Sequence, residues 1–437
     1  MSDWVIDDLK KWDDRICEIA KDKGLDWFPI DYEVCDYYEM IGHMSYHGLP
    51  SHYSHWSYGK SFERTHQMYN LGAEGLPYEL IINSDPSIAY LMKENPLYLQ
   101  ILIMCHCVGH SDFFKNNRIF EKTNPKNIVA RMRNSKKRIQ SYIEDPHIGL
   151  EKVEEFLDSL HAIRFQTERS SIRRLSRDEI LKKYISKMNR SKNKKGLIKV
   201  EDLEKRLLEP DRDLLGFLED YGTHFKDWQL DLIRIVRKES QYFIPQIKTK
   251  IMNEGWASYW HYNLMKELDL PQKYHIPFLK SHNQVIRPHI GRINPYHLGF
   301  HMFQKIHERH GIEECFEARD IHDDEAFLRR YIQFEDMREL NLFSYSRKKD
   351  EITIDDVSDD KGWKIIRNDL LMNIGMNTIP YVIVSDITNN GDLILQHLHD
   401  GRDLDLEYAE SVMNHIMKMW PGDVKFFTII EDESWEI

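Results

Sequence analysis

Between Leu97 and Asn117 the chain reads LYLQILIMCHCVGHSDFFKNN, and no other stretch of its 437 residues restricts the fold as tightly. At 3.6 residues per turn Leu99, Ile103, His106 and His110 fall on one stripe, which puts two imidazoles one turn apart on an apolar helix. Burying such a pair without partners costs on the order of a few kcal/mol of lost solvation. H-x-x-x-H on one helix is also the spacing that offers two nitrogen ligands to a zinc or iron ion. Alone it is a weak signal, and its weight depends on what else the sequence turns inward.

In Met252–His261, MNEGWASYWH, residues Glu254, Ser258 and His261 share a stripe with Ile251 and Met265. A carboxylate, a hydroxyl and a histidine thus sit among apolar neighbours. One helix earlier, Leu232, Ile235, Val236 and Phe243 define an apolar face that includes Glu239. A buried carboxylate must be bound to a cation, ion-paired, or raised in pKa. An ion pair, for instance with Arg237 or Lys250, is the structural alternative to a ligand role for either acid. The reading taken here is that His106, His110 and Glu254 converge on one divalent cation. Glu239 is then the expected general base, with His261 the next candidate or an oxyanion stabiliser. Asp112, two residues past His110, is expected to hold an imidazole tautomer. Among the clustered histidines His43, His47, His52 and His55, the last is the best candidate to line a pocket. Lys60 and Glu63 on the following helix are expected to reach the same cleft.

Helical patterns recur at 4–20, 61–69, 97–117, 150–163, 201–218, 226–243, 250–266 and 298–310. Strand-like runs are scarce before residue 350, so the fold class is mainly α, and α+β overall. After the acidic run 349–360 the character changes. YVIVSDI (381–387) and DLILQHL (392–398), joined through Asn390-Gly391, read as a hairpin. A helix capped by Asp405 follows, and Pro421-Gly422 stops it before the strand VKFFTII. The expected division is a helical core over 1–350, with a basic insert at about 164–210, and a small α/β module over 360–437 that folds by itself.

Composition works mainly by exclusion. A net charge of −12 argues against nucleic-acid binding. Residues 164–195 nevertheless hold twelve Lys or Arg against three acids, a run read as solvated surface with a docking surface as the alternative. No stretch approaches the ~18 apolar residues of a membrane helix, and the charged start MSDWVIDDLKKWDD is unlike a signal peptide. The expected location is the cytoplasm, without membrane contact. Cys17, Cys35, Cys105, Cys107 and Cys315 are scattered and fit reduced thiols.

Several blocks carry a family resemblance. HGLPSHYSHWSYGKSF (47–62), YELIINSDPSIAYL (78–91), HCVGHSDFFKNN (106–117), YFIPQIKTKIMNEGWASYWH (242–261) and NPYHLGF (294–300) resemble, in order, the SpoVR family of bacterial sporulation and stress proteins. The likeness covers most of residues 1–340, and the C-terminal module resembles the tail that members carry. It implies involvement in spore cortex formation or stress responses, and association with a PrkA-type serine kinase and its partner protein. A second resemblance is chemical. H-x-x-x-H with a downstream E-G-W-A is similar to the ligand arrangement of gluzincin-type metallopeptidases, which implies a zincin-like helical core holding Zn²⁺, or another divalent metal, on His106, His110 and Glu254. Where those enzymes carry their catalytic glutamate, this chain has Cys107.

Two functions follow as expectations. One is a metal-dependent hydrolase acting on peptide or peptidoglycan-like amides, with a carboxylate from elsewhere as base. The other is a non-catalytic scaffold or regulatory protein that binds a kinase complex. A di-iron carboxylate protein is a third reading, resting on the Glu63-x-x-His66 pair without a second such pair.

Overall fold

The computed structural model describes residues 3–49, 52–70, 79–169, 174–190, 207–289, 292–342, 344–348, 351–356 and 362–437. Two compact units divide the chain, each discontinuous in sequence: residues 1–136 with 245–377, and residues 137–244 with 378–437. The described elements begin with α1 (Ile6–Asp22), β1 (Ile30–Cys35), α2 (Tyr37–Ser45), α3 (Trp56–Asn70), β2 (Glu79–Ile82), β3 (Ser87–Met92) and α4 (Leu97–Asn116). They continue with α5 (Ile128–Glu144), α6 (Gly149–Ala162), α7 (Arg177–Arg190), α8 (Leu214–Tyr221), α9 (Asp227–Lys248), α10 (Lys250–Glu267), α11 (Gln272–Val285), α12 (Pro295–His310) and α13 (Ile312–Ile321). The rest are α14 (Asp324–Tyr331), α15 (Phe334–Glu339), β4 (Ser344–Lys348), β5 (Glu351–Asp356), α16 (Trp363–Met372), β6 (Val382–Ile387), β7 (Leu393–His397), α17 (Leu406–Met419), β8 (Val424–Ile430) and β9 (Glu433–Glu436). The protein is mainly α.

In the first unit α4 is buried along nearly its whole length, and α10 is covered almost as completely. Neither shows a polar face, because neighbours surround both. His110 meets Asn253 and His106 meets His261, so α4 and α10 run antiparallel. Their backbones approach closely at Gly109, where an added Cβ would stand 2.7 Å from the Ala257 Cα. α10 and α12 cross at Gly255 and Gly299 in the same way, a Cβ on Gly255 falling 2.4 Å from the Gly299 Cα. The start of α10 is held by α14. Asp324 accepts from the Ile251 and Met252 N–H groups, each at 2.8 Å, and so satisfies two donors that a helix leaves unpaired at its N-terminus.

A small sheet, ordered β1-β3-β2, packs beside these helices, with β3 parallel to β1 and antiparallel to β2. It was not expected from the sequence. Its central strand SIAYLM is largely buried on both faces and lacks the alternation by which a half-buried strand is read.

The second unit contains a four-stranded sheet of order β6-β7-β8-β9. The hairpin β6–β7 forms as the Asn-Gly pair predicts, Gly391 taking φ 92°. Asp405 caps α17 by accepting the Tyr408 N–H at 3.0 Å. Within its unit the module packs on earlier segments of the chain. α17 packs on α6, and Val384 of β6 exchanges backbone bonds of 2.8 and 2.9 Å with Asp211. Residues 363–377 instead belong to the first unit, because Ile366, Leu370, Leu371 and Ile374 join its core. The division therefore falls near 378 rather than in 350–362. Part of the basic insert is α7, while 170–173 and 191–206, including the start of the helix expected over 201–218, lie outside the described residues. Among the described residues, no helix is long and apolar enough to cross a membrane.

Candidate metal centre

Where α4 faces α10, the Glu254 Oε2 lies 3.7 Å from His106 Nε2 and 3.4 Å from His110 Nε2. The three ligand atoms all fall within 4.8 Å of one another. Donors bound at about 2.1 Å to a tetrahedral ion stand about 3.4 Å apart, so two imidazole nitrogens and a carboxylate at these separations fit a zinc-type donor set. Burial raises the Glu254 carboxyl, but the neighbouring His106 and His110 imidazoles lower it further, to well below its ordinary range.

The second nitrogen of each imidazole is engaged. His110 Nδ1 is 2.8 Å from the Asn253 Oδ1, which can only accept, so that nitrogen carries the hydrogen and Nε2 turns its lone pair toward Glu254. His106 Nδ1 is 2.8 Å from His261 Nδ1, and His261 Nε2 is 2.7 Å from His282 Nδ1. Burial and the neighbouring His106 and His282 imidazoles hold His261 well below its usual pKa. Burial likewise lowers His282, to about 4.

The family model described as SpoVR like protein matches residues 3–379, and that of the SpoVR-like C-terminal domain matches 380–431. The chain belongs to the SpoVR family. The start of the SpoVR C-terminal match agrees with the unit boundary at 378. A curated relative, the uncharacterized protein YcgB of Escherichia coli (strain K12), is 32% identical over an alignment that covers 100% of this chain and 94% of its own length. No solved structure matches.

Of the residues singled out in this SpoVR sequence, the structure brings His106, His110, Glu254 and His261 together. His261 is not presented as an acid or base, which corrects that expectation, because both its ring nitrogens are bonded to other imidazoles. Ser258 is buried one turn past Glu254. Asp112 does not hold an imidazole: it accepts from the Trp256 indole at 2.7 Å, from Arg319 and from the Asp26 N–H. The reason is angular, since a residue two positions past His110 points to the far side of the helix. Burial pushes its carboxyl up to about 6 despite Arg319.

Lys60 and Glu63 face solvent, Lys60 lying over the Trp56 ring and Glu63 accepting from Gln67 at 2.8 Å, so neither turns into a cleft. The exposed Glu63 also removes the basis of the di-iron reading. His55 is buried and bonded to the Ser57 hydroxyl at 2.8 Å. Glu239 is buried on α9, in the second unit, whereas the cluster lies wholly in the first. The sequence reading missed Asn253, His282 and Tyr296, whose ring centroid is 6.1 Å from that of His106. Asn253 adjoins Glu254 and Tyr296 lies in the block NPYHLGF, but no stripe links His282 to either helix.

Proposed function

We propose that this SpoVR-family protein holds a divalent cation, zinc by donor type, on His106, His110 and Glu254, and hydrolyses a peptide or peptidoglycan-like amide. The observation that carries this reading is the cluster itself: three nitrogen and oxygen donors within 4.8 Å on two buried helices. Among the described residues three donors converge, rather than four, and three is the count of catalytic zinc sites that keep a position for water or substrate. A zinc ion there would acidify water and polarise a carbonyl. Asn253 and His261 orient the two imidazoles, while the Glu254 carboxylate supplies the charge that attracts a cation. Family membership supports a place in sporulation, through the spore cortex, or in stress responses. A cytoplasmic location and a PrkA-type serine kinase with its partner protein belong to the same proposal.

Elemental analysis of untagged protein should find stoichiometric metal, lost in His106→Ala and Glu254→Gln, and both variants should cease to cleave a stem-peptide amide. Protein without stoichiometric metal, or unchanged metal in His106→Ala, refutes the site. A second reading, a scaffold in which the ion only ties α4 to α10, is favoured by Cys107, fully buried where a catalytic glutamate would stand. It predicts that the metal-loaded protein leaves stem-peptide amides uncleaved.

A further inference from the structure

Three buried imidazoles lead away from the centre in line, from His106 on α4 through His261 on α10 to His282 on α11. Their links measure 2.8 and 2.7 Å, and none of the three rings is more than 3% exposed. A neutral imidazole has one N–H and one lone pair, so a ring bonded at both nitrogens donates at one and accepts at the other. The row therefore has a direction. In one direction His106 Nδ1–H donates to His261, His261 Nε2–H donates to His282, and His106 Nε2 keeps its lone pair facing Glu254. In the other direction every N–H is reversed, His106 Nε2 carries a hydrogen toward Glu254, and that nitrogen is unable to ligate.

Only the first direction serves a metal, and it ends on the lone pair of His282 Nδ1. Without that acceptor the His261 Nε2–H of the ligating direction would be a buried donor left unsatisfied, which disfavours that direction. We propose that His261 and His282 are positioning residues that keep His106 in its ligating tautomer, so that the affinity of the centre is set in part from α11, by a side chain that touches no ligand atom. The inference rests on the metal reading of His106, His110 and Glu254. It differs from the common arrangement, in which a carboxylate or backbone carbonyl takes the second N–H of a ligating histidine.

The test uses the full-length protein titrated with Zn²⁺ against a chromophoric chelator, as wild type, His282→Leu and His282→Asn. The amide oxygen of asparagine takes the place of imidazole Nδ1 and accepts the same hydrogen bond. His282→Leu should bind Zn²⁺ about 10–100-fold more weakly, and His282→Asn should recover most of that loss. Visible spectra of the Co²⁺-loaded forms should show one ligand set in all three proteins. Long-range ¹H–¹⁵N spectra of the Zn²⁺-loaded wild type should find hydrogen on His106 Nδ1 and His261 Nε2, a readout that stands even if a variant fails to fold. Equal affinity in all three proteins, equal loss in the leucine and asparagine variants, or the opposite tautomers would overturn the proposal. Wild-type protein that takes up no Zn²⁺ would instead refute the metal reading beneath it.

Discussion

Asp336 on α15 is fully buried and charged: Arg309 donates to both its oxygens, at 2.8 and 2.6 Å, and the Gln333 N–H donates at 2.8 Å. Burial raises its pKa, but hydrogen bonds with His301 and Arg309 outweigh it and hold the carboxyl at about 2. A carboxyl depressed on folding contributes stability that is complete above its unfolded pKa of about 4 and is lost as pH falls toward 2. Asp336→Asn should therefore cost on the order of 2 kcal/mol at neutral pH. In urea titrations at several pH values the gap between wild type and variant should close between about pH 4 and 2. A gap independent of pH would show that the pair carries no such linkage. The convergence of His106, His110 and Glu254 was legible at this scale because α4 and α10 are buried, so stripe positions translate directly into contacts. Asp112 was misread because proximity in sequence was taken for a shared face, and His282 because its link to His261 crosses helices in a way no single-helix period reports.

Helix crossings set how closely the elements that carry the His106, His110 and Glu254 cluster approach. At Gly299 an added Cβ would stand 2.1 Å from the Ile251 carbonyl oxygen, a backbone atom that cannot step aside. Gly299→Ala should push α12 away from the start of α10, costing about 1–3 kcal/mol in urea unfolding and weakening Zn²⁺ binding. An unchanged urea midpoint would mean the crossing relaxes freely. Elements with one apolar face, such as α1 and α17, were readable from period alone, and Asp405 marked the start of α17 as its side chain implied. α11 was missed because Pro277 interrupts a pattern already weakened by the exposed Ile276 and Leu279. The three-stranded sheet was missed because its strands are short and its centre is continuously apolar.

At the level of the whole molecule, the C-terminal segment that reads as a self-contained hairpin, helix and strand instead completes a unit begun at residue 137. Local pattern identified its elements, but not which earlier segment they pack against. A chain ending at Asn377 should keep its metal content, since every member of the cluster lies in the first unit, while amides in α6 and α8 lose protection from hydrogen exchange. Loss of the metal would show that the second unit is needed for the centre. The interleaving also dictates an order of birth. On the ribosome, residues 137–244 emerge between the two halves of the first unit, and His110 waits 143 positions for Asn253. By residue 377 the first unit has all its parts, whereas α6 and α8 still lack the sheet and helix that cover them. Val153, Phe156, Leu157, Leu214, Phe217 and Leu218, buried in the finished protein, are then the apolar surface left waiting. A ribosome stalled late would thus release a protein with a finished centre and a sticky flank, a form suited to chaperone capture before residues 378–437 arrive.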